Sequence, residues 1–109
     1  MSNNRHNLTA IIYDKKGNIL SIGKNNYVKT HPLQQKYAKQ VGQDHRVFLH
    51  AEIHAIVKCR SLDKAHRILI TRYNTKGQPL LAKPCKICET AILNETPIKR
   101  IEYTTAATD

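Results

Sequence analysis

The chain has 109 residues, of which 40% are hydrophobic and 24% charged, and 18 Lys and Arg against 8 Asp and Glu give a net charge of +10. That length holds one domain, residues 1–109, and the composition excludes a disordered chain. No apolar run approaches the roughly 20 residues of a membrane span, and the polar stretch from Met1 to Asn7 lacks the apolar core of a signal peptide, so a cytoplasmic protein is expected. The basic excess is spread along the chain and favours anionic partners: nucleotides, nucleic acid or acidic surfaces.

The elements read as follows in chain order. Leu8 to Tyr13 is rich in apolar and β-branched residues, Asp14 to Asn18 is turn chemistry, and Ile19 to Ile22 resumes the strand, which predicts a hairpin. Residues 26–48 form a polar connection, inside which Pro32 opens a short helix over Leu33 to Val41, stopped by Gly42. Leu49 to Cys59 carries apolar residues at Leu49, Ile53, Ile56 and Val57, a helical period. Arg67 to Tyr73 reads as a buried strand, Asn74 to Pro79 as a turn-rich insertion, Pro84 to Leu93 as a second helix and Ile98 to Thr104 as a last strand. The order β-β-α-β-α-β predicts an α/β fold with a mixed sheet of about four strands, mostly parallel and joined to an antiparallel hairpin.

Three cysteines do not make a disulfide framework, and Cys85 and Cys88 form a C-x-x-C, for which metal or redox chemistry is expected in the cytoplasm. Cys59 reads as a small core residue. Three residues apart, Cys85 and Cys88 share one face of a helix, and in its first turn the dipole favours thiolate. His50 supplies an imidazole from the start of the other helix. Two thiolates and one imidazole give zinc three protein ligands and leave a fourth position to water, the mark of a catalytic site. Zinc lowers the pKa of that water towards about 7. On a helix, Glu52 points about 200° away from a residue two earlier, so it is not expected to bind the same metal as His50. From the helix start it can reach over the open position as a general acid–base. His54 lies one turn after His50, but H-A-E-I-H is not the H-E-x-x-H order of zinc proteases, and it reads as a neighbour of the site rather than a ligand.

The pair HAEIHAI and PCKIC, an H-x-E followed by a P-C-x-x-C, resembles the zinc-dependent cytidine and deoxycytidylate deaminase superfamily over roughly residues 8 to 104. The resemblance implies a three-layer cytidine-deaminase-like α/β fold, Zn2+ on His50, Cys85 and Cys88, and Glu52 as the catalytic residue. It further implies substrate binding by Asn25, with Asn26 as its neighbouring alternative, and by the backbone of Ala51. Histidine rather than cysteine at the first ligand is similar to the deoxycytidylate, tRNA-adenosine and guanine deaminases. The function expected is hydrolytic deamination of a cytosine nucleoside or nucleotide, with release of ammonia. Alternatives are the same chemistry on cytosine or adenine in single-stranded DNA or RNA, a purine (adenine or guanine) deaminase, and a non-catalytic zinc-binding module. For the polynucleotide alternative, Lys24, Lys29, Lys36, Lys39 and Arg46 interleave with Tyr27 and Tyr37 as a possible backbone track. His31 joins those tyrosines as a candidate for a substrate loop. Family members commonly associate so that one subunit completes a neighbour's pocket. A homo-oligomer is expected here, with residues 26–48 near the shared site, because Ile98 to Thr104 reads as a sheet edge. The helix faces Ile53, Ile56, Val57, Ile87, Ile92 and Leu93 also look more apolar than four strands cover.

Overall fold

A computed structural model describes residues 7–43 and 48–106. β1 (Asn7–Tyr13) and β2 (Ile19–Lys24) form the expected antiparallel hairpin. The Asp14 carboxylate closes its turn by accepting from the backbone N–H groups of Lys16 and Asn18, each at 2.9 Å. β5 (Arg67–Tyr73) and β6 (Arg100–Tyr103) complete a sheet of order β2-β1-β5-β6. One of its three ladders, β5 with β6, is parallel, and β1 runs antiparallel to both neighbours. The sheet is mixed, as expected, with β2, β5 and β6 running in one direction and β1 opposed to them. The hairpin sets β1, not β2, beside β5, and helical connections join the like-directed strands β2 to β5 and β5 to β6.

Along each strand, alternate residues face the helices. Ala10 and Ile12, Ser21 and Gly23, Ile68 and Ile70 are all buried on that face. α2 (Ala51–Lys58) crosses β1 and β2, and α3 (Lys86–Glu95) lies beside it. Ile53 and Ile56 of α2 and Ile87 and Ile92 of α3 are buried in the shared core, each stabilising the fold by roughly 1.5–3 kcal/mol. The expected apolar surplus of the helices is thus mostly absorbed inside the subunit, and only Val57 and Leu93 of that set are exposed.

Gly23 lets α2 approach this closely. A Cβ built there would lie 2.3 Å from the Ala55 nitrogen and 2.4 Å from the Ala51 oxygen, so the strand lies directly on the helix backbone. The Ser21 hydroxyl donates to the Ala55 carbonyl at 2.8 Å, and His54 Nδ1 meets the Lys24 backbone at 3.0 Å. These contacts fix both the height and the rotation of α2.

Within the polar connection the described residues form regular elements. Lys24 ends β2, two residues beyond the expected end, and β3 (Asn26–Thr30) pairs with the two-residue β4 (Phe48–Leu49). Between them, α1 (Pro32–Gln40) is capped by His31, whose Nδ1 accepts from the Leu33 N–H at 3.0 Å, and Gly42 ends it at φ 76°. α1 packs on α3, and Tyr37, buried there, donates to the Glu95 carboxylate at 2.5 Å. A one-turn 3-10 helix, Leu62–Lys64, leads into β5. Three expected boundaries move: Leu49 belongs to β4 rather than α2, the second helix runs from Lys86 to Glu95, and the last strand shortens to Arg100–Tyr103. β6 is one edge of the sheet, β2 being the other, and Glu102 on β6 is gripped by Arg67 at 2.7 Å and Arg100 at 2.9 Å.

Candidate metal centre and pocket

His50 and Cys85 are the N-cap residues of α2 and α3, and Cys88 sits in the first turn of α3. Both caps have extended backbones and neither side chain bonds its own helix end, which leaves imidazole and thiol free to face each other. His50 Nδ1 lies 3.2 Å from Cys88 Sγ and 3.5 Å from Cys85 Sγ, and the three donor atoms lie within 4.8 Å of one another. A tetrahedral zinc with ordinary bond lengths sets N and S ligands about 3.6 Å apart, so this donor set and its spacing fit the ion. The positive ends of two helix dipoles converge on the same point.

The electrostatics match that geometry. A hydrogen bond from Cys88, with further help from His50, holds the Cys85 thiol down to about 3. The same shared proton, then burial, pushes the Cys88 thiol well above its ordinary value. Without an ion the two sulfurs act as a thiolate and its thiol donor; an ion that displaces the proton takes both as thiolates. Glu52, in the first turn of α2, is 5% exposed, and burial raises its carboxyl above the ordinary range despite a hydrogen bond from its own backbone.

A cavity of about 430 Å3 opens over this centre. His50, Glu52 and Cys85 line it, and so do Asn25 and Ala51, so the five groups expected around a substrate share one pocket. Asn25 Oδ1 also accepts from the Leu8 N–H at 3.1 Å, which ties the end of β2 to the start of β1. Asn26 lines the same wall. Phe48 and Leu81, 50% and 52% exposed, add apolar surface to the pocket. His54 is outside the donor cluster, with its ring turned to Lys24.

Two contributors were not legible beforehand. Gln34 of α1 is fully buried, and its Oε1 accepts from the His50 N–H at 3.1 Å, so the polar connection reaches back to hold the first donor residue. Arg72, near the end of β5, also lines the pocket. Of the expected polynucleotide track, the side chains of Tyr27 and Lys29 lie outside the described residues. Tyr37 is buried against Glu95 and offers no ring for stacking, and Lys36 pairs with Glu95 at 3.6 Å. His31 is occupied as a cap, and Arg46 lies outside the described residues. Cys59 is half-buried at the end of α2, packed against the core.

Among the described residues no helix is long and apolar enough to cross a membrane. The family described as the cytidine and deoxycytidylate deaminase zinc-binding region matches residues 2–105. No curated protein matches the chain by sequence.

Proposed function

The chain belongs to the cytidine and deoxycytidylate deaminase zinc-binding family, and on that premise we propose that it is a zinc-dependent hydrolase that replaces an exocyclic amine of a nucleoside or nucleotide base with oxygen and releases ammonia, cytosine being the leading base. The observation that carries this reading is the placement of a buried carboxylate, Glu52, in one pocket with a three-donor cluster. A structural zinc site needs a fourth protein donor and no such acid.

In this reading His50, Cys85 and Cys88 hold the ion. Bound there, zinc supplies Lewis acidity that brings the pKa of water towards about 7. Glu52 takes a proton from the attacking water and passes it to a ring nitrogen, then takes the remaining proton from the new hydroxyl and delivers it to the amine, which leaves as ammonia while the carbonyl forms. Its burial suits the task, because a carboxyl raised above its ordinary range holds a proton at a pH nearer neutrality. Asn25 and the Ala51 backbone orient the base and sugar from the wall, and Phe48 and Leu81 offer apolar contact to a ring. A cytoplasmic setting suits a site that depends on two reduced sulfurs.

The test is ammonia release from the zinc-loaded protein with a panel of cytosine, adenine and guanine nucleosides, nucleotides and short oligonucleotides. One base is expected to be turned over. Glu52→Gln is expected to keep zinc and fold while turnover falls by roughly 100- to 10,000-fold, the range for loss of a general acid–base. Release unaffected by Glu52→Gln defeats the mechanism, and zinc held with no release from any base makes the protein a binding module.

A further inference from the structure

β5 places Ile68, Ile70 and Arg72 on the same face of the sheet. The first two are buried in the core, and the third emerges where that cover ends and the pocket begins. Arg72 Nε is buried with no hydrogen-bond partner, and Nη1 makes one long bond, 3.4 Å, to the Leu81 carbonyl. A guanidinium carries five N–H donors, so most of this one's capacity is unspent. Lys83 lines the same pocket, two residues before Cys85. Among the described residues neither Arg72 nor Lys83 has an ion pair, whereas Lys36, Arg67, Lys86 and Arg100 all do. Glu52 is the one carboxylate in the described lining. A partly desolvated guanidinium without a counter-charge is unfavourable, and a ligand phosphate offsets that with paired, charge-assisted hydrogen bonds.

We propose that Arg72, assisted by Lys83, reads a phosphate on the substrate, so that the site takes a nucleoside monophosphate in preference to the free nucleoside. The inference rests on the deaminase reading for its base and on the two cations for its phosphate. A cavity of about 430 Å3 is in the range that encloses one small ligand, and Tyr37, one ring of the expected stacking track for a longer strand, is buried away from it.

The experiment is equilibrium binding to zinc-loaded protein of cytosine, adenine and guanine nucleosides, their 5′-monophosphates and a single-stranded oligonucleotide, with inorganic phosphate as competitor. The best-bound base is expected to gain about 10- to 100-fold in affinity on 5′-phosphorylation, the range for hydrogen bonds to a charged group. Arg72→Gln is expected to remove most of that gain while nucleoside affinity stays within about twofold. Lys83→Gln, at an exposed position, removes a smaller part. Should Arg72→Gln fail to fold, phosphate competition on the unaltered protein still decides, because phosphate is expected to displace the monophosphate and not the nucleoside. Equal affinities for nucleoside and monophosphate overturn the proposal. So does an undiminished preference in Arg72→Gln, or an oligonucleotide that binds more tightly than the monophosphate with a steep salt dependence. Phosphate preference without ammonia release from any base defeats the deaminase reading and leaves the anion site standing. Release without preference does the reverse.

Discussion

Gln34 shows how a single side chain ties a remote helix to the chemistry. Its Oε1 receives the His50 N–H inside a fully buried environment. Gln34→Leu fills similar space but leaves that N–H without its acceptor, at a cost of about 1–3 kcal/mol. The expected outcome is a lower denaturation midpoint together with weaker zinc retention in a chelator competition; unchanged retention would separate the helix from the centre. Tyr37, on the same helix, has its own signature. Burial, reinforced by the Glu95 carboxylate, lifts its hydroxyl from 10.0 to about 12. A raised folded-state pKa means that this contribution is complete below pH 10 and is lost as the pH rises through about 12, at most about 2–3 kcal/mol. Denaturant titrations between pH 9 and 12 are expected to show the loss, and Tyr37→Phe to flatten that part of the curve. Neither role is legible in the sequence. Glutamine and tyrosine in a helix of low hydrophobicity read as surface residues, and only packing of α1 on α3 buries them.

Among the elements, α2 and its seat on β2 matter most. Gly23 reads in the sequence as the end of a strand, and the structure makes it the point where strand and helix backbones meet. Gly23→Ala forces α2 outward, because the atoms in the way are backbone and cannot swing aside. A destabilisation of about 1–3 kcal/mol is expected from such overpacking, with reduced metal occupancy because His50 rides on the displaced helix; calorimetry and zinc analysis on one preparation check both. What the sequence did disclose follows from local rules. The hairpin announced itself through Asp14 and its turn, and both helix starts through their motifs, since caps and donor spacing are short-range. β4 is two residues long and has no period to detect, and the pairing of β1 rather than β2 with β5 is a choice made between distant segments. Arg72 looked like the tail of a buried strand, and nothing local revealed that the core ends before it.

At the scale of the whole molecule, the donor cluster joins the starts of two helices that are otherwise held side by side by apolar packing alone. Zinc bound only by the folded form adds stability with its concentration, about 2.7 kcal/mol at a hundredfold excess over its dissociation constant. Chelation is therefore expected to lower the melting temperature, and Cys85→Ala to remove both the zinc and the sensitivity to chelator. A melting curve indifferent to chelator would place the ion, if bound, outside the fold's energetics. The pocket also draws on Leu8, Asn25, His50, Arg72 and Cys85, positions scattered over most of the chain and gathered by the antiparallel pairing of β1 with β5. No short contiguous fragment contains them. Loops must close over 35 and 38 residues before His50 meets Cys85 and Cys88, and such closures are slow relative to helix or hairpin formation. A nascent chain therefore has only a lone imidazole until Cys85 and Cys88 have been made, and the centre comes into being with the long-range strand pairings rather than seeding them.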